Sequence, residues 1–155
     1  MSPSMTATEP RCSIARSLEV LGQKWTILII REAMWGRTRF AELRAQLGIA
    51  PDVLADRLAT LVEHGVLERR AYRTEGERER EEYVLTAAGN ELLPILAAMA
   101  AWGDVHEATG FGPAAIFTER ATGEPVRVAL LSPEGRELAP AEVGVIRGPG
   151  AHASV

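Results

Sequence analysis

Two groups of side chains in this sequence are equipped for chemistry. The first is a series of arginines: Arg37, Arg39 and Arg44, then Arg57, then Arg73, Arg78 and Arg80. Guanidinium groups hold phosphate oxygens through paired N–H donors, so arginines spread over one surface can grip a polyanion backbone. The second is Cys12, the single cysteine of the chain. It opens a segment of helical periodicity, where the helix dipole lowers a thiol pKa, and Arg11 and Arg16 add positive charge. With no second cysteine, a switch at Cys12 requires an intersubunit Cys12–Cys12 bond, a mixed disulfide, or alkylation by an electrophile such as a quinone. The plainer alternative is a small residue half-buried between subunits.

Other chemistry lacks a constellation. One cysteine excludes a disulfide framework. His64, His106 and His152 are too scattered to predict a metal cluster. Gly110-Phe111-Gly112-Pro113 loosely resembles a dinucleotide fingerprint, but it follows a helix rather than a strand and Pro113 interrupts it. There is no nucleophile elbow, phosphate loop or metalloprotease motif. The sequence therefore predicts neither an enzyme nor a bound cofactor.

The arginines are strung along a recognisable order of elements. Arg39–Leu47 reads as a short amphipathic helix, Gly48-Ile49-Ala50 as a turn, and Pro51–His64 as a second helix. Strand-like segments Val66–Tyr72 and Glu81–Leu85 flank a turn at Thr74-Glu75-Gly76-Glu77. Helix, short turn, helix, hairpin is the order of a winged helix-turn-helix, whose second helix enters the DNA major groove. With Leu54, Leu58 and Leu61 turned to the core, helical geometry turns Asp52, Asp56, Ala59 and Glu63 outward. Ala50, Pro51, Asp52, Val53, Asp56 and Arg57 are then the candidates for contact with bases. Acidic side chains are unusual there, though an aspartate can accept a hydrogen bond from cytosine N4. Ala50 is a poor N-cap, while Pro51 suits the first helical position.

Arg37, Arg39 and Arg44 are candidates for backbone phosphates, and Arg73, Arg78 and Arg80 for phosphate or the minor groove. Glu75, Glu77, Glu79 and Glu81 alternate with the last group, so a solvated charged hairpin is the competing reading. The net charge is −4, but residues 11–93 carry 13 basic and 13 acidic side chains. The acidic excess lies outside that segment, and any basic surface must be local.

Upstream, Ser13–Leu21 and Lys24–Trp35 are predicted helices, stopped by Gly22 and Gly36, with Arg37–Arg39 as an extended link or a small third strand. Thr86 is placed to cap a helix from Ala87 to about His106, with Pro94 marking a kink or a start-up segment. Residues 1–10 read as a loose tail, 11–108 as the winged domain, 109–147 as a small β extension in which Val126–Leu131 and Arg136–Ile146 form a short hairpin or meander about a turn at Ser132–Gly135, and 148–155 as a second tail. No apolar run approaches the length of a membrane span and no apolar signal region opens the chain, so a cytoplasmic protein is expected.

Cys12-Ser13-Ile14-Ala15-Arg16, Leu21-Gly22-Gln23-Lys24-Trp25-Thr26, Gly36 with Arg39-Phe40, Gly48-Ile49, Val53-Leu54 with Arg57-Leu58, Glu82-Tyr83-Val84-Leu85-Thr86 with Gly89, and Trp102-Gly103 form an ordered set. Together they resemble the HxlR-type branch of the MarR-like transcription regulators, over about residues 11–106. The resemblance implies an α+β, helix-rich fold: a winged helix-turn-helix with dimerising terminal helices and a small C-terminal β extension. It implies a homodimeric repressor or activator on double-stranded DNA, at a pseudo-palindromic operator. It places Ile14, Leu18, Leu21, Leu92, Leu96, Met99 and Trp102 at the dimer interface, and Cys12 where redox-sensing members carry their cysteine. The family often has Ser or Thr at the place of Ala50 and a basic or amide residue at that of Asp52, and this chain departs at both. Some members bear a C-terminal extension with paired cysteines; none occur here, so no zinc ribbon is expected. A small-molecule effector between the helices, near Trp35 and Trp102, is a further expectation. The competing reading is a winged-helix protein-interaction module with lost or weak DNA binding, supported by the acidic outer face of Pro51–His64.

Overall fold

The computed structural model describes residues 12–150. The expected N-terminal tail, Arg11 and the last five residues lie outside the described residues. The chain divides into two compact units, one running to Asn90 and taking in residues from Ile146 onward, the other Glu91–Val145.

The first unit is organised around helix α2, Lys24–Met34, which buries Thr26, Ile29, Ile30 and Glu32. Around it stand α1 (Ser13–Leu21), α3 (Phe40–Leu47) and α4 (Pro51–Glu63), followed by strands β1 (Leu67–Tyr72) and β2 (Arg80–Leu85). Helix α2 meets α1, α3, α4 and β2. Leu43, Ile49, Leu54, Leu58, Leu61, Val66 and Leu67 complete the core. Their spacing explains the elements: Leu54, Leu58 and Leu61 share one stripe of α4 and are fully buried. Gly48 ends α3 in the left-handed conformation (φ 62°), open to glycine without a Cβ penalty, which starts the tight turn into α4.

Strands β1 and β2 pair antiparallel, from Leu67 opposite Leu85 to Tyr72 opposite Arg80. The Thr74–Glu77 turn closes with Glu77 N–H donating to the Thr74 carbonyl at 2.9 Å, and Gly76 takes φ 80° at its third position. Helix, turn, helix and two-stranded wing is the winged helix-turn-helix architecture, α+β and helix-rich. The expected link at Arg37–Arg39 forms no strand. Its trace is one ladder-like bond, Tyr83 N–H to the Thr38 carbonyl at 2.7 Å.

The Thr86 hydroxyl accepts from Gly89 N–H at 3.1 Å and itself donates to the carbonyls of Gly65 and Val66. It thus caps α5 (Ala87–Asn90) and ties it to the root of the wing. Pro94 sits in the first turn of a separate helix, α6 (Leu93–His106), so Ala87–Asn90 is the start-up segment.

In the second unit, α6 precedes a largely irregular extension. Its hairpin is far shorter than the spans 126–131 and 136–146 expected from sequence: β3 is Leu130–Leu131 and β4 Glu137–Leu138. The Val126 end pairs instead with an earlier segment, through a Thr118–Pro125 bridge and Val126 N–H donating to the Phe117 carbonyl at 2.8 Å. Pro140 then opens a single 3-10 turn, Pro140–Glu142. Arg127 and Glu137 form a bidentate ion pair across the hairpin. No helix among the described residues is long and apolar enough to cross a membrane.

Candidate nucleic-acid interface

The outer face of α4 is what helical geometry predicts from its buried stripe. Asp52, Asp56, Ala59 and Glu63 are exposed, while Val53 and Arg57 are half-buried. Ala50 and Pro51 are exposed at the helix start, where Ala50 supplies no side-chain cap. Arg57 Nη1 lies 3.1 Å from the Asp56 carboxylate, and its Nε is buried without a hydrogen-bond partner. An arginine held along the helix flank in this way has its charge partly compensated before any nucleic acid arrives.

The arginines before α3 are also engaged. Glu32 is fully buried, and a buried carboxylate is costly unless paired. Arg31 donates to its Oε1 at 2.6 Å and Arg37 to its Oε2 at 2.7 Å. Arg37 N–H also donates to the Glu32 carbonyl at 3.0 Å, and both guanidinium groups lie against the Trp35 ring. Arg37 is therefore a structural ion-pair partner, with its side chain 37% exposed.

Arg39 stacks on Tyr72, with its guanidinium carbon 4.3 Å from the ring centroid. Its backbone N–H donates to Glu42 Oε2 at 3.1 Å, which fixes the start of α3. Arg44 lines a shallow groove with Phe40, Ala41, Ala45, Gly48 and Ile49.

On the wing, Arg73 Nε donates to the Glu77 carbonyl at 3.0 Å and so braces the turn. Arg80 lies 3.9 Å from Glu77, and Arg69 lies 3.7 Å from Glu81. Arg78, at the exposed wing tip, has no side-chain partner among the described residues, and neither has Arg44. These two arginines bring uncompensated charge to the surface.

Sequence reasoning passed over the side chains that hold these arginines: Glu32 under Arg37, Tyr72 under Arg39, and Glu82, which accepts a hydrogen bond from Thr38 Oγ1 at 2.6 Å. An aromatic residue ending β1 was the one visible signal.

Cys12 is exposed in the N-cap position of α1. The unsatisfied N–H groups of Ala15, then Ile14, and more weakly the charge of Arg16 draw its thiol below the ordinary range. Helix α1 buries no residue at all: Ile14 is 72% and Leu18 58% exposed, and Leu21 is half-buried. On α6, Leu96 is buried and Leu92, just before the helix, half-buried. Leu93, Ile95, Met99, Trp102 and Val105 are exposed, so α6 shows apolar side chains nearly all round. Among the described residues no cluster could hold a metal ion.

Known proteins place this arrangement. Residues 20–110 match the model of the HxlR-like helix-turn-helix family. The chain is 37% identical over 139 residues to the HTH-type transcriptional regulator Rv3095 of Mycobacterium tuberculosis, covering 89% of this chain and 87% of that one. The crystal structure of PA1607, a candidate transcription factor, superposes with a TM-score of 0.75 at 38% identity, over 92% of this chain and 97% of that one. The redox regulator HypR in its oxidised form superposes with a TM-score of 0.54 at 31% identity, over 60% of this chain and 95% of that one. With its winged motif, its flanking helices and these relatives in agreement, the chain belongs to the HxlR-like, MarR-related family of winged helix-turn-helix transcriptional regulators.

Proposed function

We propose that the protein acts in the cytoplasm as a homodimer that binds a pseudo-palindromic operator and occludes or exposes a promoter. The observation that carries this reading is the surface left by the fold: α4 is set by three fully buried leucines beside a wing whose tip arginine, Arg78, has no partner. Two copies of α4 in adjacent major grooves on one DNA face would sit roughly 34–36 Å apart. The exposed apolar residues of α1 and α6 support pairing of two copies, since soluble monomers rarely leave so many large apolar side chains in water.

Asp52, Asp56 and Arg57 are the base-edge candidates, with Ala50, Pro51 and Val53 lining the approach. Arg44 and Arg78 are the phosphate or minor-groove contacts, joined by the free edges of Arg37, Arg39, Arg73 and Arg80. Cys12 is the proposed sensor. Its exposure, its lowered pKa and the kinship with a redox regulator support reaction of its thiolate with an oxidant or electrophile.

The acidic outer face of α4 favours a second reading, a winged-helix module that binds protein. Selection of bound DNA from a random pool, followed by affinity measurements over a range of salt, separates the two. A regulator gripping phosphates gives an enriched sequence and a steep fall of affinity with salt. Absence of any enriched sequence together with a flat salt response would favour the interaction module. Treating the protein with diamide or a quinone should change operator affinity in wild type and leave Cys12→Ser unchanged. Equal behaviour of the two would remove Cys12 from the mechanism.

A further inference from the structure

A two-stranded ribbon is marginal on its own, so something must hold the wing where it can be used. Residues Arg37–Arg39 lie along it and touch both strands. On β1, Tyr72 receives the guanidinium of Arg39 on its ring, 4.3 Å from the centroid. On β2, Glu82 Oε2 accepts from the Thr38 hydroxyl at 2.6 Å, and Tyr83 N–H donates to the Thr38 carbonyl at 2.7 Å. The other side of this three-residue strap is anchored in the core, where Arg37 binds buried Glu32 through both its side chain and its backbone N–H. Arg39 N–H is fixed to Glu42 of α3. The strap therefore runs from the core helix α2 to the first motif helix and clips the wing on the way.

We propose that Tyr72, Thr38 and Glu82 are positioning residues that orient the wing so that Arg78 meets DNA. None of the three needs to touch nucleic acid. Tyr72 is the last paired residue of β1, opposite Arg80, so its clip acts at the base of the loop that carries Arg78. Stacking also leaves the N–H edge of Arg39 free, because a guanidinium bound by its face keeps its in-plane donors available. This inference rests on the DNA-binding reading.

The test uses the full chain and an operator selected from random DNA, with affinity measured at several salt concentrations. Each phosphate contact contributes about 0.9 to the slope of log affinity against log salt on duplex DNA. Arg78→Ala should reduce the slope by about one contact. Tyr72→Ala, which removes no charge, should reduce the slope in wild type and reduce it by less in the Arg78→Ala background, where the contact of Arg78 is already gone. Tyr72→Phe keeps the ring face and should restore the wild-type slope. Thr38→Val preserves shape without the hydroxyl donor and should behave as Tyr72→Ala does, with Thr38→Ser rescuing it; this pair serves if Tyr72→Ala folds poorly. Loss of active protein alone lowers amplitude and leaves the slope unchanged. Additive slope changes in Tyr72→Ala/Arg78→Ala, an unaltered slope in both Tyr72→Ala and Thr38→Val, or an Arg78→Ala slope equal to wild type would overturn the proposal while leaving DNA binding intact. A wild-type protein that binds no DNA would instead remove the functional reading beneath it.

Discussion

Helix α4 and the wing are held in opposite ways. The helix is fixed from within: Leu54, Leu58 and Leu61 have no exposed surface, and the polar face follows from where they point. The wing has little interior. Beyond Leu67, β1 is exposed or half-buried, and β2 is never fully buried. Its place is set at its root by Thr86 and Gly89 and along its length by the Arg37–Arg39 strap. Packing tolerates almost no change in the helix, whereas the ribbon can be freed by removing single polar or stacking contacts without opening the core. The charges differ as well. The outer face of the helix carries Asp52, Asp56 and Glu63, and the ribbon interleaves arginines, Arg78 among them, with glutamates.

The largest expected effect tests the helix side of this contrast. Leu58→Ala should lower stability by about 2–5 kcal/mol, read by urea denaturation, because a filled position leaves a cavity that the core closes only in part. A loss as small as that of a surface substitution would contradict a core-set helix. Next comes the root of the wing. A Cβ on Gly89 would stand 2.2 Å from the Val66 carbonyl oxygen and 2.9 Å from Leu85 Cδ2. The first of these is backbone, so Gly89→Ala should cost roughly 1–3 kcal/mol by forced displacement and should lower the thermal midpoint. Unchanged stability would mean that the root is freer than its geometry states.

A smaller effect sharpens the charge contrast. If Asp52 only repels phosphate, Asp52→Asn should strengthen binding to every DNA sequence a few-fold. If Asp52 reads a cytosine, the same change should relax selectivity at one base-pair position, worth about 1–3 kcal/mol of discrimination there. Selection repeated with the variant distinguishes these outcomes. The smallest effect lies away from both regions, at Cys12. Its folded pKa is lowered, so its thiolate fraction rises at a lower pH than in the unfolded chain. The rate of alkylation by iodoacetamide should therefore reach half its plateau at lower pH in the native protein than in urea. Coincident profiles would show that the start of α1 does nothing to the thiol. By linkage the same shift favours the folded state at high pH, a contribution present above the unfolded pKa and lost as pH falls through the folded one.

Much of the first unit was legible in the residues. Apolar spacing located α1 to α4, glycines marked their ends, and Thr86 capped one expected helix to about His106, in which Pro94 marked either a kink or the start-up segment that α5 proves to be. The acidic face of α4 followed from three leucines. The arginines were a different matter. Charge and position nominated Arg37 and Arg39 equally, but the capture of one by buried Glu32 and the stacking of the other on Tyr72 join residues that only the tertiary fold brings together. In the extension, strands were expected over Val126–Leu131 and Arg136–Ile146, and Val126, Val128 and Leu130 do alternate. Alternation extends a strand when one face is covered, yet Val126 and Val128 are exposed, and residues 117–118 had already taken one end of the segment.

The exposed ring of Trp102 on α6 has an optical consequence. It is 60% open to water and stands 5.0 Å from the His106 ring, while Trp25 is half-buried beside Lys24 and Trp35 lies between two arginines. Indole emission moves to shorter wavelength as water is excluded. Covering α6 would shift the light from Trp102 to shorter wavelength. The molecule therefore carries a native fluorophore on its most apolar exposed helix, and its emission reports whether that helix is in water.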